Sequence, residues 1–190
     1  MKITVITGSP RKNGGSTILA NEFIKGAKEK GHEIYRFDSH FKDVHFCIGC
    51  NHCGMGQNPC VFKDDFVELR ENLLSSDVLV LATPMYYMDF SAQLKKIIDR
   101  FYSINTQLTN KEMKTILITS QHSNLPELAQ EMNQKYERIF SWWLKMENIG
   151  IINSYGVLNG SDLNNTDYLK QAYELGKSLQ EADYANIKIK

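Results

Sequence analysis

Two stretches of this 190-residue chain carry residue types at spacings that could do chemistry. The first is Gly8-Ser9-Pro10-Arg11-Lys12-Asn13-Gly14-Gly15-Ser16-Thr17. Glycines let the backbone wrap around an oxyanion, Ser16 and Thr17 add hydroxyls, and a helix starting there presents unpaired N–H groups and partial positive charge. The stretch reads as a phosphate cradle. A Walker loop does not fit, because Asn13 stands where the second glycine belongs and no lysine precedes Ser16. The dinucleotide fingerprint Gly-x-Gly-x-x-Gly is missing too, since Pro10 stands two residues after Gly8. A site for a single terminal phosphate remains. The second stretch is Cys47-x2-Cys50-x2-Cys53, followed by Cys60. Closely spaced thiolates of this kind can face one iron–sulfur cube, with Gly49, Gly54 and Gly56 letting the loop fold around it. With His45 and His52 they could instead ligate zinc. Free or redox-active thiols are the preferred reading, with a [4Fe–4S] cluster and zinc as alternatives.

Regular elements must position these stretches. Ile3, Val5 and Ile6 form a short β-rich run ahead of the cradle, and Ile18, Leu19, Phe23, Ile24 and Ala27 recur at helical spacing behind it. That helix runs from about 16 to 30 and stops at Gly31. A second strand spans about 32–38. A further helix begins at Asp64 or Asp65, which suit its dipole, and turns Phe66, Leu69, Leu73 and Leu74 inward. Residues 77–83 form the most apolar strand, expected to be central and covered on both faces. Pro84, Met85, Tyr86, Tyr87 and Met88 follow it in a loop too apolar for open solvent, which should cover something flat. A helix then starts near Ser91 and runs past Arg100. A strand at about 114–119 leads into Ser120, Gln121 and His122, and a long helix occupies about 126–148. A last strand at 151–157 and a helix from about Thr166 complete the chain. Strands alternating with helices in this way indicate a five-stranded, doubly wound parallel sheet of order 2-1-3-4-5, with ligand at the strands' carboxyl ends. No linker divides the chain, so residues 1–190 are read as one domain.

On these residues the chain resembles the flavodoxin-like NAD(P)H-dependent FMN reductase family, whose first loop has the form Gly-Ser-Pro-Arg-x-x-Gly-x-Ser/Thr. The resemblance continues through the Asp64-Asp65 pair, Thr83 to Tyr87, and Leu94 to Arg100. It implies a flavodoxin-like three-layer α/β/α sandwich binding FMN, with Ser9, Arg11, Asn13, Ser16 and Thr17 around the ribityl phosphate. An isoalloxazine ring needs flat apolar contact, for which Pro84, Met85, Tyr86, Tyr87 and Met88 are the candidates. Ser120, Gln121 and His122 stand where many relatives have a glycine-rich third flavin loop. The cysteine spacing is similar to the compact cluster motif of iron–sulfur flavoproteins. No nucleophile with a paired base is evident, and Asp64-Asp65 reads as a helix start, so the flavin is expected to carry the chemistry. Lys95, Asp99 and Arg100, on the helix after the flavin loop, resemble family positions, and they read equally as a solvated or intersubunit salt-bridge face.

Charge and composition narrow the partners. Lysine plus arginine and aspartate plus glutamate both number 22, giving no net charge, so neither nucleic acid nor an anionic membrane is favoured. Met1 leads directly into the first strand, and no apolar stretch is long enough to span a bilayer. A cytoplasmic protein with reduced cysteines is expected. Its activity is read as oxidation of NAD(P)H, passing electrons to a quinone, a flavin or another small acceptor. The rival is a non-enzymatic electron-transfer flavoprotein, although flavodoxin-type carriers are typically acidic and this chain is neutral. A phospho-receiver ranks below both, because Thr7 and Gly8 stand where it needs acidic residues. Leu128, Met132, Tyr136, Ile139, Phe140, Trp142, Trp143, Leu144 and Met146 cover a wider arc than one sheet face needs, which predicts a homodimer or higher homo-oligomer.

Overall fold

A computed structural model describes residues 1–180. Strands β1 (Lys2–Thr7), β2 (Glu33–Asp38) and β3 (Val78–Tyr86) are joined through helices α1 (Gly15–Glu29) and α2 (Phe66–Ser75). A two-residue strand, β4 (Asp89–Phe90), turns back on β3 before α3 (Ala92–Arg100) and a short α4 (Asn105–Thr109). Strand β5 (Lys114–Ser120), helix α5 (Pro126–Tyr136), strand β6 (Glu147–Ser154) and helix α6 (Tyr168–Ser178) complete the order. The sheet runs β2-β1-β3-β5-β6, all parallel, with β4 antiparallel on β3. This is the expected 2-1-3-4-5 order of five parallel strands, plus a hairpin strand that the sequence did not announce.

Alternation within the strands sorts the core into two layers. On one face Ile3, Val5, Val78, Val80, Ala82, Ile116 and Ile118 pack with Leu19, Phe23 and Ala27 of α1 and Ala172 of α6. On the other, Ile6, Leu79, Leu81 and Leu117 meet Leu69 and Leu73 of α2, Leu94 and Ile97 of α3, and Met132, Tyr136 and Phe140. A strand buried on both faces must be apolar at every position, which is why 78–82 has no polar residue. Helices α1 and α6 touch backbone to backbone. A Cβ on Gly26 would stand 2.1 Å from the Tyr173 carbonyl oxygen, and one on Gly176 would stand 2.1 Å from that of Phe23.

Two boundaries differ from the sequence reading. The helix expected at 126–148 stops being α-helical at Tyr136, continues as a wider turn through Trp143, and is reversed at Lys145, whose φ is +58°. Strand β6 therefore begins at Glu147 rather than at 151 and ends at Ser154 rather than at 157. Glu147 and Asn148 are polar because β6 is an edge strand, half open to solvent, so the β signal is diluted. Leu144 and Met146 belong to the core, whereas Trp142 and Trp143 remain exposed.

Candidate functional site

The carboxyl ends of β1, β3 and β5 open on one cleft of about 160 Å³. Ser9, Arg11 and Ser16 of the first loop line it, facing Pro84, Met85 and Tyr86 after β3 and Ser120 and His122 after β5. Gly14 and Gly15 of the cradle complete the wall with Val157 and Leu158, which the sequence reading did not single out. A Cβ on Gly15 would lie 2.4 Å from Ser120 Oγ and 2.6 Å from Val157 Cγ1, and one on Gly14 would lie 2.7 Å from Ser9 Oγ. The glycines are thus needed to bring the loops together at the start of α1. That double glycine, directly after a polar turn, was the available signal for Gly14 and Gly15.

Hydroxyls divide into those that build the cradle and one left over. Ser9 Oγ donates to the Arg11 carbonyl and accepts from the Arg11 N–H, both at 3.1 Å. Thr17 Oγ1 donates to the same carbonyl at 3.1 Å. Ser16 is 1% exposed, and its hydroxyl takes no partner among the described residues. Beside it the Gly15 and Ser16 N–H groups take no acceptor among the described residues, whereas those of Thr17 and Ile18 both donate to the Gly14 carbonyl at 3.0 Å. Arg11 Nη1 donates to the Leu158 carbonyl at 3.1 Å and closes one side. The donor set therefore suits one phosphate, and the small volume suits one end of a larger ligand, with Met85 and Tyr86 on the apolar side of the cleft.

Five sequence candidates do not line this cleft: Asn13, Thr17, Tyr87, Met88 and Gln121. Thr17 is occupied as just described. Gln121 is buried and its Nε2 donates to the Ser123 and Leu125 carbonyls, which shapes the third loop from within. Tyr87 and Met88 form the two-residue turn of the β3–β4 hairpin, with φ of +48° and +58°. Non-glycine residues rarely adopt such angles, and Tyr87 is 97% exposed at the tip. Behind the cleft, Ser91 Oγ donates to the Gly8 carbonyl at 2.6 Å and accepts from the Leu94 N–H, so the N-terminus of α3 is fastened to the first loop.

All four cysteines line a second and larger cavity, of about 490 Å³. Cys47 and Cys50 are exposed, Cys53 is buried and Cys60 is intermediate. Left-handed backbone at Gly49, Asn51, Gly54, Met55 and Gly56 doubles the loop back on itself. Helices α3 and α4 and the turn between them grip it: Tyr102 Oη donates to Asn51, Thr106 Oγ1 to the Met55 carbonyl, and Gln107 Nε2 to the Gly56 carbonyl. Among the described residues no three His, Cys, Asp or Glu side chains are arranged to hold a metal ion. Zinc needs all its ligands about 2.0–2.3 Å from one ion, and the His45 ring is stacked on Phe62 at 4.8 Å, so this arrangement does not fit a mononuclear zinc site. Four sulfurs facing a roomy cavity fit a polynuclear group that spans the gap between them.

Arg100 corrects the sequence reading. It is not part of a solvated or intersubunit face: only Lys95 and Asp99 form a surface pair, at 2.6 Å. Arg100 is 1% exposed, and its Nη1 donates to Asp64 Oδ2 at 2.7 Å while Nη2 reaches Oδ1 at 3.2 Å. Asp64 is likewise more than a helix start, because it also accepts from the His45 and Phe66 N–H groups. Burial opposes its ionisation, yet Arg100 and those N–H groups outweigh burial and hold its carboxyl below the usual aspartate range.

A model for the NADPH-dependent FMN reductase family matches residues 1–151. Across 96% of this chain and 80% of its own length, an iron–sulfur flavoprotein of Archaeoglobus fulgidus is 32% identical. A second, from Methanocaldococcus jannaschii, is 30% identical over 95% of this chain and 96% of its own. Among solved structures, an NAD(P)H:quinone oxidoreductase from Methanothermobacter marburgensis superposes with a TM-score of 0.74 over 95% of this chain and 96% of that one, at 17% identity. That level of identity speaks for the fold.

Proposed function

This chain belongs to the NADPH-dependent FMN reductase family, and from that membership we propose that it binds FMN in the cleft at the ends of β1, β3 and β5 and oxidises NAD(P)H for a small acceptor. The observation that carries the reading is the cradle: two glycines whose Cβ atoms would have no room, the hydroxyl of Ser16, which takes no partner among the described residues, and the start of α1 meeting in one cleft. Bound FMN supplies the chemistry of moving electrons between a nicotinamide and an acceptor. The chain's residues bind and orient. Ser16 Oγ and the Gly15 and Ser16 N–H groups would hold the phosphate, Ser9 and Thr17 keep the loop in shape through the Arg11 carbonyl, and Met85 and Tyr86 would supply the apolar wall for the ring. Of the remaining candidates, Asn13, Tyr87, Met88 and Gln121 lie outside the cleft, Gln121 bracing the third loop, whereas Ser120 and His122 line it. No helix among the described residues is long and apolar enough to cross a membrane, and the acceptor proposed is a small one, a quinone or a free flavin.

A second reading, an iron–sulfur electron-transfer flavoprotein, is favoured by the cavity that all four cysteines line. Cys47, Cys50, Cys53 and Cys60 would hold a [4Fe–4S] group there, and it adds one-electron capacity to the flavin's. Free thiols are the preference from the sequence; in favour of the cluster are a loop held at Asn51, Met55 and Gly56 and one cavity lined by all four cysteines. Anaerobically purified protein should show the two absorption bands of a flavin and about four irons and four sulfides per chain. Steady-state NAD(P)H oxidation with added quinone divides the readings. An enzyme should turn over on the order of 1–10³ per second. Negligible turnover with flavin and iron both bound would leave the carrier.

Assembly follows from the same surface. The exposed Trp142 and Trp143, with Trp143 Nε1 donating to Asn105 beside the cysteine loop, form the part of the expected arc that the core leaves uncovered. We propose that this face joins two copies. Light scattering at micromolar concentration should report twice the chain's 21.8 kDa, and a mass equal to one chain would reject the homodimer.

A further inference from the structure

Arg100 lines the cysteine cavity, whereas Asp64 does not border it. The ion pair between them is therefore oriented, with its positive member beside the four thiols and its negative member set back. Arg100 Nη1 also donates to the His45 carbonyl at 2.9 Å, while the His45 N–H donates to Asp64 Oδ2 at 2.9 Å, so the pair grips both backbone groups of the residue that leads into Cys47. The Phe62 and Phe66 rings lie 5.3 and 4.8 Å from Arg100 Cζ and cover it from water. The Nε–H of Arg100 is buried and has no acceptor among the described residues. A buried donor without a partner costs free energy.

We propose that Arg100 is the positioning and charge-setting residue of the cysteine cavity, holding His45 at the mouth of the loop and stabilising added negative charge on the group the four thiolates hold. The inference rests on the cluster reading above. The step concerned is the gain of one electron from a reductant, with no bond made or broken and no proton required. Four thiolates already place negative charge in the cavity, so an extra electron is favoured by a cation at its wall and disfavoured by an anion behind that cation. Low dielectric around the aromatic rings strengthens both effects.

Removing either member of the pair separates charge from mere support. Protein purified anaerobically would be assayed for iron and sulfide, checked for folding by thermal melting, and titrated with dithionite while the iron–sulfur absorbance is followed. At the potential where the natural protein is half reduced, Arg100→Gln should lower the reduced-to-oxidised ratio about tenfold, and Asp64→Asn should raise it about tenfold, the order expected of one partly screened unit charge. Each shift corresponds to about 59 mV for a one-electron couple, in opposite directions. Arg100→Lys keeps the charge and should leave the ratio within about threefold. A residue that only supported the fold would move both variants the same way, and that result, or no shift in either, overturns the proposal while leaving the cluster in place. If Arg100→Gln does not fold, a rise in Asp64→Asn with none in Arg100→Lys still supports it, and equal behaviour of those two overturns it. Iron-free natural protein would overturn the cluster reading itself, and this inference with it.

Discussion

Replacing Asp64 with Asn should lower the stability of the fold by about 3–5 kcal/mol, the cost of leaving one member of a buried ion pair without its partner. The substitution keeps size and shape but strands the guanidinium of Arg100, which is 1% exposed and reaches no other carboxylate among the described residues. It also weakens the acceptor for the His45 and Phe66 N–H groups, so the entry to the cysteine loop and the start of α2 loosen together. Urea denaturation of the two proteins measures the loss, and a difference under about 1 kcal/mol, the range of exposed pairs, would show that the pair contributes little. The sign of the pH dependence follows from the lowered folded value of Asp64. Its contribution is complete above the unfolded aspartate value of about 3.9 and is lost as pH falls through the lower folded value. Asp64→Asn should therefore lack that part of the acid-induced loss, and the two stability curves should converge as the pH drops.

Ser16→Ala should weaken FMN binding at least tenfold. A hydrogen bond to a charged group is worth about 1.5–3 kcal/mol, and about 1.4 kcal/mol is a factor of ten in affinity. The chain offers no internal partner that would compensate in the free protein, since the Ser16 hydroxyl bonds nothing among the described residues. Thr17→Ala should act less strongly and by another route, because its hydroxyl is spent on the Arg11 carbonyl and only the loop's rigidity is lost. Fluorescence titration of the FMN-free variants compares them directly. Equal affinities for Ser16→Ala and the natural protein would move the phosphate away from the start of α1.

Much of this arrangement was legible in the residues. The apolar run 78–82 placed the central strand, and the Gly/Ser-rich turn after β1 placed the cleft, because both depend on local backbone chemistry that a short window records. What was hidden depends on distant partners. Arg100 sits among Lys95, Lys96 and Asp99, and its own neighbours in sequence describe a wet helix face, while the residues that bury it, Phe62, Asp64 and Phe66, come from another part of the chain. The β3–β4 hairpin was hidden for the opposite reason. Its two turn residues, Tyr87 and Met88, adopt left-handed angles without the glycine or asparagine that normally signals such a turn. Polar Glu147 and Asn148 concealed the start of β6, since an edge strand need not be apolar.

Helix α3 has the role of a ruler. At one end Ser91 is fastened to the Gly8 carbonyl of the cradle, and at the other Arg100 is fastened to the His45 carbonyl of the cysteine loop. The nine residue steps from Ser91 to Arg100 rise about 13.5 Å, at about 1.5 Å per residue. Inserting a single residue would lengthen that span only slightly, but it would also swing Arg100 by about 100° around the axis and out of reach of Asp64. The spacing of the two sites can therefore change only in whole helical turns, so a gradual drift in their separation is closed to sequences that keep both anchors.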